Sequence, residues 1–259
     1  MGMVIGVFSA KGGVGKTLLA TNLAVSFALG HRLQTILVDL NPGTGTADLL
    51  LDLNPERSWA DLREVISELT SQHIQLAVTP FRPGLDLLAS PLQVSWNEKL
   101  TRTELTSLLN LLREQYELVL LDVPAGISDL ALSCLELVDL TLILLTPDAP
   151  ALRATSRYLT SLPRDVSPIE LVINQQAPGA AVTPAEINNY LGKRLLGTLP
   201  IDPRGVWVNI SYGEPCVLRK SSKLGNGIRM LSAQLLKTVH AKNSQGPNHG
   251  KDRSSRPGR

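Results

Sequence analysis

Residues 9–17 read Ser-Ala-Lys-Gly-Gly-Val-Gly-Lys-Thr, a composition suited to holding phosphate. Gly12, Gly13 and Gly15 let backbone N–H groups turn toward phosphate oxygens where side chains would block the approach. Lys16 is placed to reach the β- and γ-phosphates of a nucleoside triphosphate, and the Thr17 hydroxyl suits Mg²⁺. Val14 and Leu18 complete the stretch whose backbone would face the nucleotide. Lys11 adds a second cation at the leading edge of the loop. Two carboxylates, Asp39 and Asp122, each close a short apolar run. Strand ends of that kind are where α/β sheets bind ligands, and a carboxylate beside a phosphate chain can hold Mg²⁺ directly or through water.

These groups need a frame that brings three strand ends together. Apolar runs at 3–8, 35–39, 85–89, 118–122, 140–146, 169–174 and 195–199 are rich in Val, Ile and Leu and mostly do not alternate. Strands buried on both faces read this way. Helical patterns fall between them at 16–29, 59–69, 102–115, 129–137, 151–162 and 184–191. Thr101 with Glu104, and Thr183 with Glu186 behind Pro184, are capping-box starts. The alternation predicts an α/β fold, a three-layer, doubly wound, mostly parallel sheet with helices on both faces. A closing helix is expected over 224–240. The fold is expected as one domain spanning 1–241, followed by a disordered tail over 242–259. The tail carries five basic residues and one acidic residue. It reads either as a solubilising end or as a weak contact with an anionic surface.

Composition narrows the function classes. The chain has 259 residues, 43% of them hydrophobic, and a net charge of +2. That composition supports a full core and gives no strong bias toward nucleic acid. Cys134 and Cys216 lie far apart in no metal-like spacing, and the four histidines form no ligand pattern. A disulfide scaffold and a structural metal are therefore not expected, and a reducing cytoplasm is. No apolar run approaches the about 20 residues of a spanning helix. The N-terminus runs straight into the first apolar run, so no leader segment is expected.

With the loop, Asp39 and Asp122 established, the chain resembles the MinD/ParA family of P-loop ATPases with a deviant Walker A motif, over roughly residues 3–240. The segment from Lys11 to Thr17 matches that motif. Asp122-Val123-Pro124-Ala125-Gly126 resembles switch II. Val172-Ile173-Asn174 is similar to the strand whose terminal Asn reads adenine, Pro200-Ile201-Asp202 to the segment flanking the base, and Gly213-Glu214-Pro215 to a late turn. The resemblance implies ATP or ADP with Mg²⁺ as ligands, the metal being held by Thr17, Asp39 and Asp122, partly through water. It implies that Lys11 crosses to the phosphates of a second copy, giving an ATP-dependent homodimer. Residues 36–62 and 84–91 look most like the CpaE/TadZ branch, which places pilus-assembly machinery. The implied function is a switch ATPase that positions a cellular machine through an unidentified protein partner. The implied setting is the cytoplasm, with recruitment by that partner to a pole or the inner membrane face.

One departure from the family pattern concerns hydrolysis. Asn41 stands where the second Asp of the switch I Asp-x-Asp is usual. An amide can hold a water but cannot take its proton as a carboxylate can. The implied catalytic set of Lys11, Lys16, Asp39, Asn41 and Asp122 thus leaves two classes open: a slow ATPase switch, or an ATP-binding dimeric scaffold that hardly hydrolyses. A third reading is a ParA-like partitioning ATPase, for which Arg219, Lys220 and Lys223 would form a small non-specific DNA contact. The apolar stripe of Ile228, Leu231, Leu235, Leu236 and Val239 is expected to close the domain rather than to anchor a membrane.

Overall fold

A computed structural model describes residues 1–91, 100–163, 166–177, 180 and 182–244, with side chains to residue 237. The strands are β1 (Met3–Phe8), β2 (Thr35–Asp39), β3 (Thr79–Arg82), β4 (Leu85–Leu88), β5 (Leu118–Asp122), β6 (Leu140–Leu145), β7 (Ile169–Gln176) and β8 (Arg194–Pro200). They form one sheet in the order β3-β4-β2-β5-β1-β6-β7-β8. Every pairing is parallel except β3 with β4. Every residue of β1, β2, β5 and β6 is buried, as their unalternating sequences require.

The helices are α1 (Lys16–Val25), α2 (Ala47–Leu50), α3 (Ser71–Ala77), α4 (Arg102–Gln115), α5 (Asp129–Leu137), α6 (Ala149–Ser161), α7 (Pro184–Leu191), α8 (Pro203–Tyr212) and α9 (Lys223–Ser244). They cover both faces of the sheet. Met3, Ile5 and Val7 point into one core with α1, α2 and α9, while Val4 and Phe8 point into the other with α3, α4, α5 and α7. The three-layer α/β architecture expected from the sequence is the one observed.

Several local features differ from the sequence reading. Regular α1 ends at Val25 and continues as a π-helical turn over Ser26–Gly30. There the Ser26 hydroxyl and the His31 ring both meet the Ser232 hydroxyl of α9, at 2.7 and 3.0 Å, a long-range tie that local spacing does not reveal. The 59–69 segment is a 3-10 helix, Trp59–Glu68, broken at Val65. β3 was not anticipated: it carries Pro80, which an edge strand tolerates because one side of its backbone needs no partner. α2, α3 and α8 were also not anticipated. α8 nevertheless has legible ends, with Asp202 capping, Pro203 in the first turn and Gly213 left-handed at φ 61°.

α9 buries Ile228, Leu231 and Leu235 against the sheet, so this stripe closes the domain. It remains helical to Ser244, past the expected boundary at 241, and 245–259 lie outside the described residues. Among the described residues no helix is long and apolar enough to cross a membrane. Cys134 and Cys216 are both free and buried. Burial pushes both thiols up, that of Cys216 to about 11, so neither is a reactive nucleophile.

Candidate nucleotide site

The sheet register assembles the site. β1 lies between β5 and β6, so the loop leaving β1 emerges where strand connections diverge to opposite sides. In the parallel pairing of β2 with β5, Asp39 stands opposite Asp122, and in that of β1 with β5, Val7 stands opposite Asp122. Two carboxylates more than eighty residues apart in sequence thereby become neighbours at the foot of the phosphate loop.

The loop is shaped by glycine where shape demands it. Gly13 and Gly15 have φ of 77° and 91°, which L side chains rarely adopt. A Cβ on Gly15 would also stand 2.7 Å from Asn174 Nδ2. Asn174 itself donates from Nδ2 to the Val14 carbonyl at 2.8 Å, bracing the loop from behind. Gly15 is the N-cap of α1 and offers no side-chain cap, and no acid lies in the helix's first turn. The free N–H groups and positive dipole end of α1 therefore face the loop with no internal anion to satisfy them.

Charge is tightly paired below the loop. Lys16 Nζ lies 2.5 Å from Asp122 Oδ1, and the Thr17 hydroxyl donates to Asp122 Oδ2 at 2.6 Å. Asp122 is fully buried and Lys16 nearly so. Asn41 Nδ2 donates to Asp39 Oδ1 at 2.7 Å, to Asp122 Oδ2 at 2.8 Å and to the Asp122 carbonyl at 3.1 Å. The backbone N–H groups of Asn41 and Ala47 also donate to Asp39. Burial pushes the Asp39 carboxyl up to about 6, aided by the Asp122 charge and opposed by the Asn41 and Ala47 donors. The Trp59 indole N–H donates to the Asp39 carbonyl at 2.9 Å, fixing the end of β2 from the opposite core.

A cavity of about 680 Å³ opens over this cluster. Its walls include Ser9, the loop glycines, Lys16, Thr17, Leu18, Asn41, Pro124 and Ala125. Thr44, Thr46, Leu49 and Leu50 close one side, and Ile210 of α8 reaches its rim. The volume falls in the range of small-molecule sites. The oxygen donors of Thr17, Asp39 and Asp122 are hard ligands of the kind Mg²⁺ takes, and a hydroxyl that donates to Asp122 keeps its lone pairs for a cation. The residues present therefore fit a Mg²⁺–nucleotide.

Other residues singled out in the sequence stand apart. Lys11 does not line the cavity: its side chain is 49% exposed, and its Nζ lies 3.9 Å from Asp148 Oδ1 at the start of α6. Pro200, Ile201 and Asp202 do not line it either. Asp202 accepts from the Gly205 N–H, the Ser222 hydroxyl and the Leu224 N–H, joining the starts of α8 and α9. Sequence reasoning missed the Thr44–Leu50 wall and Ile210, and gave Ser9, within the loop stretch, no role of its own. The left-handed Gly43 and, two residues on, Gly45, which packs closely against Asp39, were available signals. Ile210 had no local signal.

A family model described as an AAA domain matches residues 2–175. The chain is 31% identical over 231 residues to a putative septum site-determining protein MinD of Guillardia theta, covering 86% of this chain and 84% of that one. It is 26% identical over 244 residues to the septum site-determining protein MinD of Bacillus subtilis, covering 91% and 90%. Among solved structures, a ParA family ATPase from Chlorobium tepidum superposes with a TM-score of 0.82 at 22% identity, covering 90% of this chain and 98% of that one. Pyrococcus horikoshii MinD, solved in complex with Mg-ADP, gives 0.80 at 21% identity, covering 93% and 99%. With the loop, the paired strand-end carboxylates and this extent of similarity, the chain belongs to the MinD/ParA family of P-loop ATPases.

Proposed function

We propose that this chain is a Mg²⁺-ATP-dependent switch that closes on a second copy of itself and hydrolyses ATP slowly. The observation carrying the reading is the cluster of Lys16, Thr17, Asp122, Asn41 and Asp39 beneath an uncapped helix N-terminus. When ATP enters, Lys16 exchanges Asp122 for phosphate oxygens, and the loop N–H groups hold the β-phosphate. Thr17, Asp39 and Asp122 would hold Mg²⁺, partly through water, and bound Mg²⁺ would neutralise charge on the phosphates. The P. horikoshii relative solved with Mg-ADP supports this ligand. In phosphoryl transfer, positioning and charge supply most of the acceleration, and these residues can provide both.

Two observations support closure on a second copy. Among the described residues Lys11 pairs with Asp148 through a half-exposed contact, worth about 0–1 kcal/mol, which it can leave at little cost. Leu49, Trp207, Ile210 and Tyr212 are each more than half exposed. Leu49 and Ile210 border the cavity, and Trp207 stacks edge-on against Tyr212 at 5.5 Å. An apolar rim around a nucleotide mouth suits a partner that seals it from water. The resemblance of residues 36–62 and 84–91 favours a machine of the pilus-assembly type as the object positioned.

Asn41 favours a second reading, a dimeric scaffold with little turnover, because its amide group is committed to the two carboxylates. The experiment is light scattering and phosphate release with Mg²⁺-ATP for wild type, Lys11→Ala and Lys16→Ala. The switch reading expects ATP-dependent dimers and slow turnover in wild type, monomers that still bind ATP in Lys11→Ala, and no binding in Lys16→Ala. Dimers without turnover above Lys16→Ala select the scaffold. Unchanged ATP-dependent dimers in Lys11→Ala overturn the role given to Lys11.

A further inference from the structure

Ser9 ends the approach to the loop in an unusual state. It is 1% exposed, and its hydroxyl has no hydrogen-bond partner among the described residues. Buried hydroxyls are normally paired, and leaving one unpaired costs stability. Ser9 also belongs to the lining of the cavity of about 680 Å³, as do Lys16, Pro124 and Ala125. Its backbone is committed elsewhere: the Ser9 carbonyl accepts from the Gly126 N–H at 2.9 Å. Gly126 is left-handed at φ 84° and ends the segment that begins at Asp122. One residue of the cavity lining therefore carries an unused buried donor and a backbone hydrogen bond to the loop following β5.

We propose that the Ser9 hydroxyl donates to the outermost phosphate of the bound triphosphate, and that the Ser9 carbonyl, through Gly126, ties the Asp122–Gly126 loop to that contact. The inference rests on the nucleotide reading above. A phosphate oxygen only accepts, so the hydroxyl must be the donor, which is the capacity it leaves unused. The outermost phosphate is favoured because Ser9 lines the same cavity as Lys16, to which the nucleotide reading gives the β- and γ-phosphates, and because its carbonyl already accepts from Gly126 of the segment that begins at Asp122. A diphosphate would make no bond to the hydroxyl. Ser9 would thus help distinguish triphosphate from diphosphate and signal the difference to the loop that carries Asp122.

The test is Ser9→Ala, read by thermal unfolding without nucleotide and by titration with a fluorescent non-hydrolysable ATP analogue and fluorescent ADP. The expected result has two signs. Without nucleotide, Tm stays level or rises, because the substitution removes an unpaired buried group rather than a bond. Affinity for the triphosphate falls about tenfold, as loss of one hydrogen bond to a charged group predicts. Affinity for ADP changes less than about twofold on the same ground, since no such bond is lost. A lowered nucleotide-free Tm with equal weakening of both nucleotides would make the hydroxyl structural and overturn the proposal. Unchanged affinity for both nucleotides would overturn it as well. If wild type itself binds neither nucleotide, it is the nucleotide reading that fails, a result distinguishable from the other two.

Discussion

Asn41→Asp places a third carboxylate among two. Asn41 Nδ2 lies 2.7 Å from Asp39 Oδ1 and 2.8 Å from Asp122 Oδ2, so the new oxygen would face two acceptors with no proton between them. At an effective dielectric of about 20, unit charges about 4 Å apart repel by about 4 kcal/mol. The protein has a less costly escape. The Asp39 carboxyl already titrates at about 6. Protonating it at pH 7.5 costs about 2 kcal/mol, at about 1.36 kcal/mol per pH unit. Asp122 also loses the amide donation, worth about 1.5–3 kcal/mol for a charged acceptor. The variant should therefore lose about 3–5 kcal/mol at pH 7.5 in EDTA. At pH 5.5 Asp39 already holds its proton, so the penalty should shrink by about 2 kcal/mol. Millimolar Mg²⁺ at pH 7.5 should also reduce it, by supplying the missing positive charge. Urea denaturation of both proteins under these three conditions is the assay. A variant as stable as wild type at pH 7.5 in EDTA, or a penalty that ignores acidification, would refute the charge-clamp reasoning.

Three further outcomes are expected. Asn209 is fully buried, accepts from Asn22 Nδ2 at 2.9 Å and donates to the Leu50 carbonyl at 2.8 Å. Asn209→Ala should cost about 2–4 kcal/mol in urea denaturation through two unpaired partners, and a loss below about 1 kcal/mol would contradict the network. A Cβ on Gly45 would overlap the Ser90 hydroxyl and stand 2.7 Å from Asp39 Oδ2. Gly45→Ala should lower stability by about 1–3 kcal/mol and weaken Mg²⁺-nucleotide binding in calorimetry, and unchanged binding would show that the site absorbs the shift. The raised Asp39 carboxyl gives a pH dependence opposite to that of a salt-bridged acid. The folded chain keeps a proton that the unfolded chain releases between about pH 4 and about 6. Its contribution is neutral below that window and fully unfavourable above it. Relative to Asp39→Asn, wild type should thus lose about 2–3 kcal/mol as pH rises from 4 to 7 without nucleotide, and a flat difference would contradict the assignment.

What was legible in the sequence follows from how local each feature is. The phosphate loop, its strand and its helix are contiguous, and glycine chemistry dictates their shape, so residues 9–17 could be read directly. α4, α5 and α7 were legible to the residue because caps and apolar periodicity agree: Thr101, Ser128 and Thr183 each accept from a backbone N–H in the first turn. The π-turn after α1 was not legible, because Ser232, which ties it down, lies more than two hundred residues away. Nor was the far wall of the cavity. Leu50 and Ile210 come together where Asn209 donates to the Leu50 carbonyl, and no spacing within either segment encodes that contact. The adjacency of Asp39 and Asp122 is a property of sheet register, which the sequence implied only as far as both residues end strands.

The polar side chains of the site largely satisfy one another. Lys16 and Thr17 pair with Asp122, and Asn41 bridges Asp122 and Asp39. A phosphate chain therefore competes with bonds already made, and a switch needs that kind of competition. Equal interaction with both states of the cluster would shift nothing, however tight the binding. Lys16 leaving Asp122 strips a buried carboxylate of its cation, a loss that a divalent cation would make good. Triphosphate and divalent cation are for this reason expected to bind together rather than in either order alone. The groups outside this closed circuit are the α1 N-terminus, the Ser9 hydroxyl and the loosely held Lys11. They are free to report a ligand without first giving up a partner of comparable strength, and they lie at the loop, at the link to Gly126 and at the exposed edge of the molecule.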